Sequence, residues 1–222
     1  SDLNYEGAYI AQEYFINNGQ INWNRIYDAN LTNNQASLNA AYVLYEDRVD
    51  DTQLTINSAY NREINDNIKI TSSINYRNLV SDNFAEISDM LGGYTYSNID
   101  SFDFLDYNLL SPNSIVSKGD KFKYHYEMTA EEMSLFSMIN FSYNKLEFYI
   151  AGDLTNTTYQ RDGIFENEAN AGNSSGKGDE IKFDGYGVKA GITYKFSGKH
   201  ILDFNSAYLQ KAPSIRNTFT NS

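Results

Sequence analysis

The feature that most constrains this chain is alternation of apolar and polar residues in stretches of about ten residues, the length a tilted β-strand needs to cross a bilayer, less clean only at Phe136 and Met138. In residues 52–62 (TQLTINSAYNR), Leu54, Ile56 and Tyr60 share one face, with Thr55, Asn57 and Asn61 opposite. Residues 63–67 form a short polar turn. Residues 68–79 (IKITSSINYRNL) then alternate again, with Ile68, Ile70, Ile74 and Tyr76 opposite Lys69, Thr71, Ser73, Asn75 and Arg77. A second hairpin is expected over 134–160, turning at Asn144 and Lys145. Here Leu135, Ile139, Phe141, Tyr143, Leu146, Phe148, Ile150 and Leu154 oppose Glu147 and Asp153. A third is expected over 183–210. Its apolar face holds Tyr186, Val188, Ala190, Ile192, Tyr194 and Phe196; Lys189, Thr193 and Lys195 lie opposite. A period of two puts alternate side chains on opposite faces of a sheet. The polar faces, with Lys69, Arg77, Glu147, Asp153, Lys189 and Lys195, are expected to line a watery lumen. The apolar faces are expected to meet lipid.

The connections add an asymmetry. Turns inside the hairpins take about two to five residues. The segments 1–51, 80–133 and 161–182 read as long loops, with a strand near 38–46 in the first. Short turns at one end and long loops at the other are the habit of outer-membrane barrels. Compact soluble domains rarely carry structureless loops beyond about 15 residues. The expected fold class is therefore all-β: an antiparallel transmembrane β-barrel segment with long extracellular loops. Within the loop 80–133, Phe84, Ile87, Met90 and Leu91 recur at helical spacing before Gly92 and Gly93, which predicts a short helix. The stretch 161–182 is polar and glycine-rich and reads as a flexible loop. Ser1 opens in a polar segment, and the closing residues 217–222 complete no element, so both ends read as cut ends.

Composition narrows the chemistry. Nineteen Tyr and thirteen Phe among 222 residues, with two Pro, favour strands. A net charge of −12 argues against a nucleic-acid partner, which needs a basic face. With no cysteine, the chain has no disulfide and no thiolate chemistry. His125 and His200 are its only histidines and do not make a metal motif. No apolar run reaches the length of a transmembrane helix.

Seven segments, in order along the chain, carry a resemblance. They are residues 20–30 (QINWNRIYDAN), 46–51 (EDRVDD), 89–94 (DMLGGY), 116–124 (VSKGDKFKY), 143–148 (YNKLEF), 186–191 (YGVKAG) and 212–219 (APSIRNTF). Together they resemble the barrel of Bacteroidetes-type TonB-dependent receptors, in the branch with an N-terminal carboxypeptidase-regulatory-like domain. The resemblance implies a 22-stranded outer-membrane barrel, to which this chain would give about six to eight internal strands. It also implies a plug domain and the TonB complex as partners, with a surface lipoprotein in some relatives. The function it implies is active import of a nutrient of the siderophore, glycan, peptide or cobalamin class. The plug, the TonB box and the C-terminal strands have no counterpart in the sequence.

Little catalytic chemistry is visible, and no enzyme, cofactor or metal is expected. Asp82, Glu86, Asp89, Asp100, Asp103 and Asp106 cluster in one loop without calcium-loop spacing, and read as solvated charge, with a bound cation as the alternative. The glycines at 185, 187 and 191 lie inside an alternating strand, so they mark close approach in a sheet rather than a phosphate loop. Tyr60, Tyr76, Tyr143, Tyr194 and Tyr208 end apolar faces and suit an interfacial girdle. The loop aromatics Trp23, Tyr27, Tyr94, Tyr96 and Phe102 read first as packing the loops onto each other, and are also the candidate ligand contacts, since rings beside polar groups suit sugars or peptides. Two rival readings stay open. One is a small complete barrel acting as a passive pore or adhesin. The other is a soluble β-rich binding domain on the cell surface.

Overall fold

A computed structural model describes residues 2–219; Ser1 and the last three residues, on which the expectation of cut ends partly rests, lie outside the described residues. The chain is mainly antiparallel β-structure. Two helices come first, α1 (Asp2–Asn18) and α2 (Trp23–Gln35). The strands are β1 (Leu44–Asn65), β2 (Ile68–Asp89), β3 (Tyr96–Ser97), β4 (Ile115–Val116), β5 (Lys121–Tyr143), β6 (Leu146–Gly163), β7 (Gly176–Lys177), β8 (Ile181–Ser197) and β9 (His200–Gln210). A short helix α3 (Ile215–Thr218) follows. One seven-stranded sheet runs β1-β2-β5-β6-β8-β9, with β7 added on β6, while β3 and β4 form a separate pair. Successive long strands are thus neighbours, joined by tight turns at Asp66 and Asn67, Asn144 and Lys145, and Gly198 and Lys199.

The long strands exceed the expected hairpins, and the long connections shrink accordingly. β2 continues through residues 83–89, where a helix was expected. Its apolar residues mimic helical spacing because this stretch is covered on both faces: Phe84, Ala85 and Ile87 are all buried. The strand ends where Leu91 and Gly92 turn left-handed, with φ of 48° and 85°. The first 51 residues are also not a loop, since α1, α2 and the start of β1 occupy most of them. The segment 161–182 carries the end of β6, a 3-10 turn at Glu168–Asn170, β7 and the first residues of β8.

The residues divide into two compact units. Unit 1 comprises Ser1–Val49, Asn83–Tyr126 and Gly163–Ser175; unit 2 comprises Asp50–Asp82, Glu127–Asp162 and Gly176–Ser222. Unit 1 holds the apolar core, in which Ile87 (0% exposed) packs with Ala40, Ala85, Met90, Val116 and Phe122. Asn30, fully buried on α2, ties the surrounding backbone together. Its Nδ2 donates to the carbonyls of Tyr42, Met90 and Leu91, and its Oδ1 accepts from the amides of Ala41 and Tyr42. Gly93 is required beside it, because a Cβ there would stand 2.5 Å from that of Ala40. Two further loops of unit 1 are stitched by backbone bonds, Leu109 to Glu166 (2.7 Å) and Glu168 to Asp106 (3.0 Å).

Unit 2 is built the other way round. Its buried apolar residues among those described are Ala130 and Ala151 alone, while its large apolar side chains stand exposed. Register explains the pattern. Leu146, Phe148, Ile150 and Leu154 on β6 face Tyr194, Ile192, Ala190 and Tyr186 on β8. Leu202, Phe204 and Tyr208 on β9 continue the same rows. This face is open, with Val188 55% and Phe204 64% exposed. The reverse face pairs Glu147, Tyr149, Ala151 and Asp153 with Thr193, Gly191, Lys189 and Gly187, and these with Asp203, Asn205, Ala207 and Leu209. Glycine is needed there. A Cβ on Gly187 would strike Asp153, and one on Gly191 would strike Tyr149 and Asn205. The larger neighbours therefore lie flat across β8, and Tyr149 Oη donates to Asn205 Oδ1 at 3.0 Å.

Removing the Asn30 side chain leaves buried carbonyls and amides without partners, each costing about 1–3 kcal/mol. Asn30→Ala should therefore speed hydrogen exchange at the Ala41 and Tyr42 amides by about 30-fold or more, equivalent to about 2 kcal/mol. Unchanged protection would show that the clasp is dispensable.

Candidate functional site

Unit 1 holds a cleft of about 550 Å³ walled by rings. Tyr42 comes from the segment entering β1, Tyr45 from β1 itself, and Tyr96 from β3. Phe102 and Tyr107 come from the following loop, and Phe122 and Tyr124 from the start of β5. Phe122 is buried at the base, with Tyr45 and Tyr96 meeting it edge-on at 5.3 and 6.0 Å. Phe102 stands 92% exposed at the mouth.

Three consecutive strand residues, Phe122, Lys123 and Tyr124, all line this cleft. Regular alternation forbids that. The exception arises at Lys123, whose φ of 62° is left-handed and breaks the pleat. Buried Asn98 compensates for the distortion. Its Oδ1 accepts the Lys123 amide at 3.0 Å, and its own amide donates to Ser114 at 2.9 Å. The backbone is thus bent at a single position to bring a lysine and two rings to one surface.

Two charged groups line the cleft, Asp100 and Lys123. Asp100 is internally satisfied: Oδ1 accepts the Phe102 amide at 2.7 Å and Oδ2 accepts the Tyr107 hydroxyl at 2.7 Å. The Phe102 amide first, and then the Tyr107 hydroxyl, hold its carboxyl below the usual carboxylate range. Burial, and then the bond to Asp100, push the Tyr107 phenol well above its ordinary value. Burial and the bond to Asp47 raise Tyr124 to about 12. Both phenols are therefore neutral donors at physiological pH. The Lys123 ammonium lies 4.2 Å over the Tyr45 ring and donates to the Tyr45 hydroxyl at 2.9 Å. No carboxylate among the described residues forms an ion pair with it.

The sequence-derived ligand candidates separate here. Tyr96 and Phe102 line the cleft, whereas Trp23, Tyr27 and Tyr94 do not. Trp23 opens α2, the Tyr27 ring lies against Gly92, and Tyr94 is exposed between Gly93 and β3. Tyr42, Tyr45, Tyr107, Phe122, Lys123 and Tyr124 were not singled out from sequence. Their common location depends on the bend at Lys123, which no local motif announces. The loop carboxylates do not converge. No group of three or more His, Asp or Glu among the described residues is placed to hold a metal. Glu86 instead pairs with Arg48 at 2.9 Å, and Asp106 caps the Asn108 and Asn113 amides.

In unit 2, Glu147, Asp153, Lys189 and Lys195 share the polar face of β6 and β8. Lys195 pairs with Glu147, Arg77 lies 3.7 Å from Glu132, and Lys69 lies 3.7 Å from Glu63. Glu132 and Asp153 line one shallow hollow, so this polar face continues from β5 to β6. Comparison with protein-family models, curated proteins and solved structures returns no match.

Because the Asp100 carboxyl is held low, its contribution to loop order is complete above the ordinary carboxylate value of 3.8 and is lost only as pH falls through its lower folded value. The Phe102 amide should accordingly keep its hydrogen-bonded NMR shift at pH 4 and lose it in stronger acid. In Asp100→Asn the shift should no longer follow this titration. A midpoint at or above the ordinary carboxylate value would contradict the assignment.

Proposed function

We propose that this chain forms wall and capture surface of an outer-membrane β-barrel that imports a nutrient, of the TonB-dependent type its segments resemble. The observation that carries the reading is the inverted sheet of unit 2, where apolar side chains are exposed and charged ones line the reverse face. In water such a surface is unfavourable, at about 25 cal/mol for each Å² of apolar area left wet. In hydrocarbon the same surface is matched to its solvent.

Dimensions agree. The apolar face of β8 runs from Tyr186 to Phe196, ten residue steps or about 34 Å at roughly 3.4 Å each. A tilt of about 40° brings this to about 26 Å, against an apolar band roughly 25 Å tall in such barrels. Tyrosine lies near both ends of the run, as an interfacial girdle requires. β1 and β9 each have one neighbour in the sheet. Further strands pairing there would remove the open edges. In this reading the partners are outer-membrane lipid, the TonB complex and a plug domain, with a surface lipoprotein as in some relatives. The location is the outer membrane, and the chain performs no catalysis. Unit 1 supplies the capture surface, centred on the aromatic cleft.

Arginine at the bilayer midplane of a barrel costs about 2–4 kcal/mol on the lipid face and far less on the lumen face. Ala190→Arg should therefore lower folding stability in lipid vesicles by that amount, read from urea titration. Lys189→Arg, one residue away on the polar face, should change it by less than about 0.5 kcal/mol. Equal costs, or a chain that stays monodisperse in plain buffer, would refute the reading.

A further inference from the structure

We infer that the unit 1 cleft binds a small planar aromatic carboxylate, with Lys123 as its anion hook. The inference deepens the capture role proposed above, and depends on it only for the word substrate. It follows from an inventory of what the cleft has already used.

Asp100 spends its oxygens on the Phe102 amide and the Tyr107 hydroxyl. The Tyr107 and Tyr124 hydroxyls are committed as donors to Asp100 and Asp47. The ring faces and the Lys123 ammonium stand beside the hydroxyls of Tyr42, Tyr96 and Ser101, which also line the cleft. An ammonium carries three donors, and one is spent on the Tyr45 hydroxyl. The others have no carboxylate partner among the described residues.

That lack is notable in its setting. Unit 1 contains fourteen Asp and Glu against five Lys and Arg, so acidic partners are plentiful. Lys123 is nevertheless directed onto rings, by a left-handed backbone that glycine would adopt more readily. Strain of this kind persists where surrounding structure fixes it, and it concentrates at binding sites. Buried Asn98 is the fixing group. A ligand that stacks a flat ring between Tyr45 and Phe102 and turns its carboxylate to Lys123 engages both the aromatic walls and the ammonium. A cation is disfavoured by Lys123 itself, and an aliphatic anion leaves the rings unused.

The probes are 2-naphthoate, its neutral amide 2-naphthamide, and hexanoate. Each is titrated calorimetrically into the full chain held in nanodiscs, with empty nanodiscs as the blank. Naphthoate should bind at least tenfold more tightly than either of the others. Lys123→Met should bring naphthoate down to the level of naphthamide while leaving naphthamide unchanged, which shows the cleft intact. Lys123→Arg should keep the preference, and Tyr45→Phe should weaken it several-fold. Equal affinity for naphthoate and naphthamide in the unaltered chain would overturn the proposal. So would equal affinity for hexanoate, or a preference that survives Lys123→Met. A chain that inserts in lipid without the preference loses only this inference. A chain that shows the preference but fails the lipid-face test loses only the transport reading.

Discussion

Register between neighbouring strands is the constraint on which the rest of unit 2 depends. A slip of one residue between β6 and β8 would move Val188, Ile192 and Phe196 onto the face of Glu147 and Asp153, and put Lys189 and Lys195 among Phe148 and Leu154. Two devices lock the present alignment. Gly187 and Gly191 accept the side chains of Asp153, Tyr149 and Asn205 lying across them, which works only at this register. The Lys195–Glu147 pair and the bond from Thr193 Oγ1 to Asp203 at 3.1 Å add polar cross-strand ties on the same face. The polar face therefore specifies the alignment, and the open apolar face follows from it.

Unit 1 obeys ordinary soluble logic by contrast. Its core around Ile87 is small, and buried asparagines organise the backbone around it. Asn30 links α2 to the entry of β1 and the end of β2; Asn98 links β3 to the bend in β5. An amide side chain suits both places because it offers donors and an acceptor without charge, so it can be buried fully satisfied. One chain thus carries two burial rules, apolar-in and apolar-out, with the switch falling inside single strands such as β1 and β5.

How far this was legible in sequence follows from which rule applied. The alternation in residues 68–78 and 184–196 reads directly because one face holds only polar residues and glycine. Residues 84–91 did not read correctly, since burial on both faces erases the period of two and leaves a spacing that imitates a helix. The helices α1 and α2 are not legible for different reasons: α1 scatters its apolar residues without a coherent stripe, and α2 is polar overall. Of the site, Tyr96 and Phe102 were visible as loop aromatics. Tyr45, Tyr107 and Tyr124 were not, because the bend at Lys123 and the long-range bond from Asn98 bring them together. Trp23, Tyr27 and Tyr94 show the converse, aromatic residues in the right segments but away from the cleft.

The most direct test of the inverted sheet is spin-label accessibility along β8. The chain has no cysteine, so single cysteines at positions 186 to 196, the glycines 187 and 191 excepted because no side chain fits there, can each carry one nitroxide. In lipid vesicles, positions 186, 188, 190, 192, 194 and 196 should collide preferentially with oxygen, which concentrates in hydrocarbon. Positions 189, 193 and 195 should collide preferentially with a water-soluble nickel chelate. A two-residue oscillation in that phase supports the account; the opposite phase, or uniform access to the chelate, would contradict it.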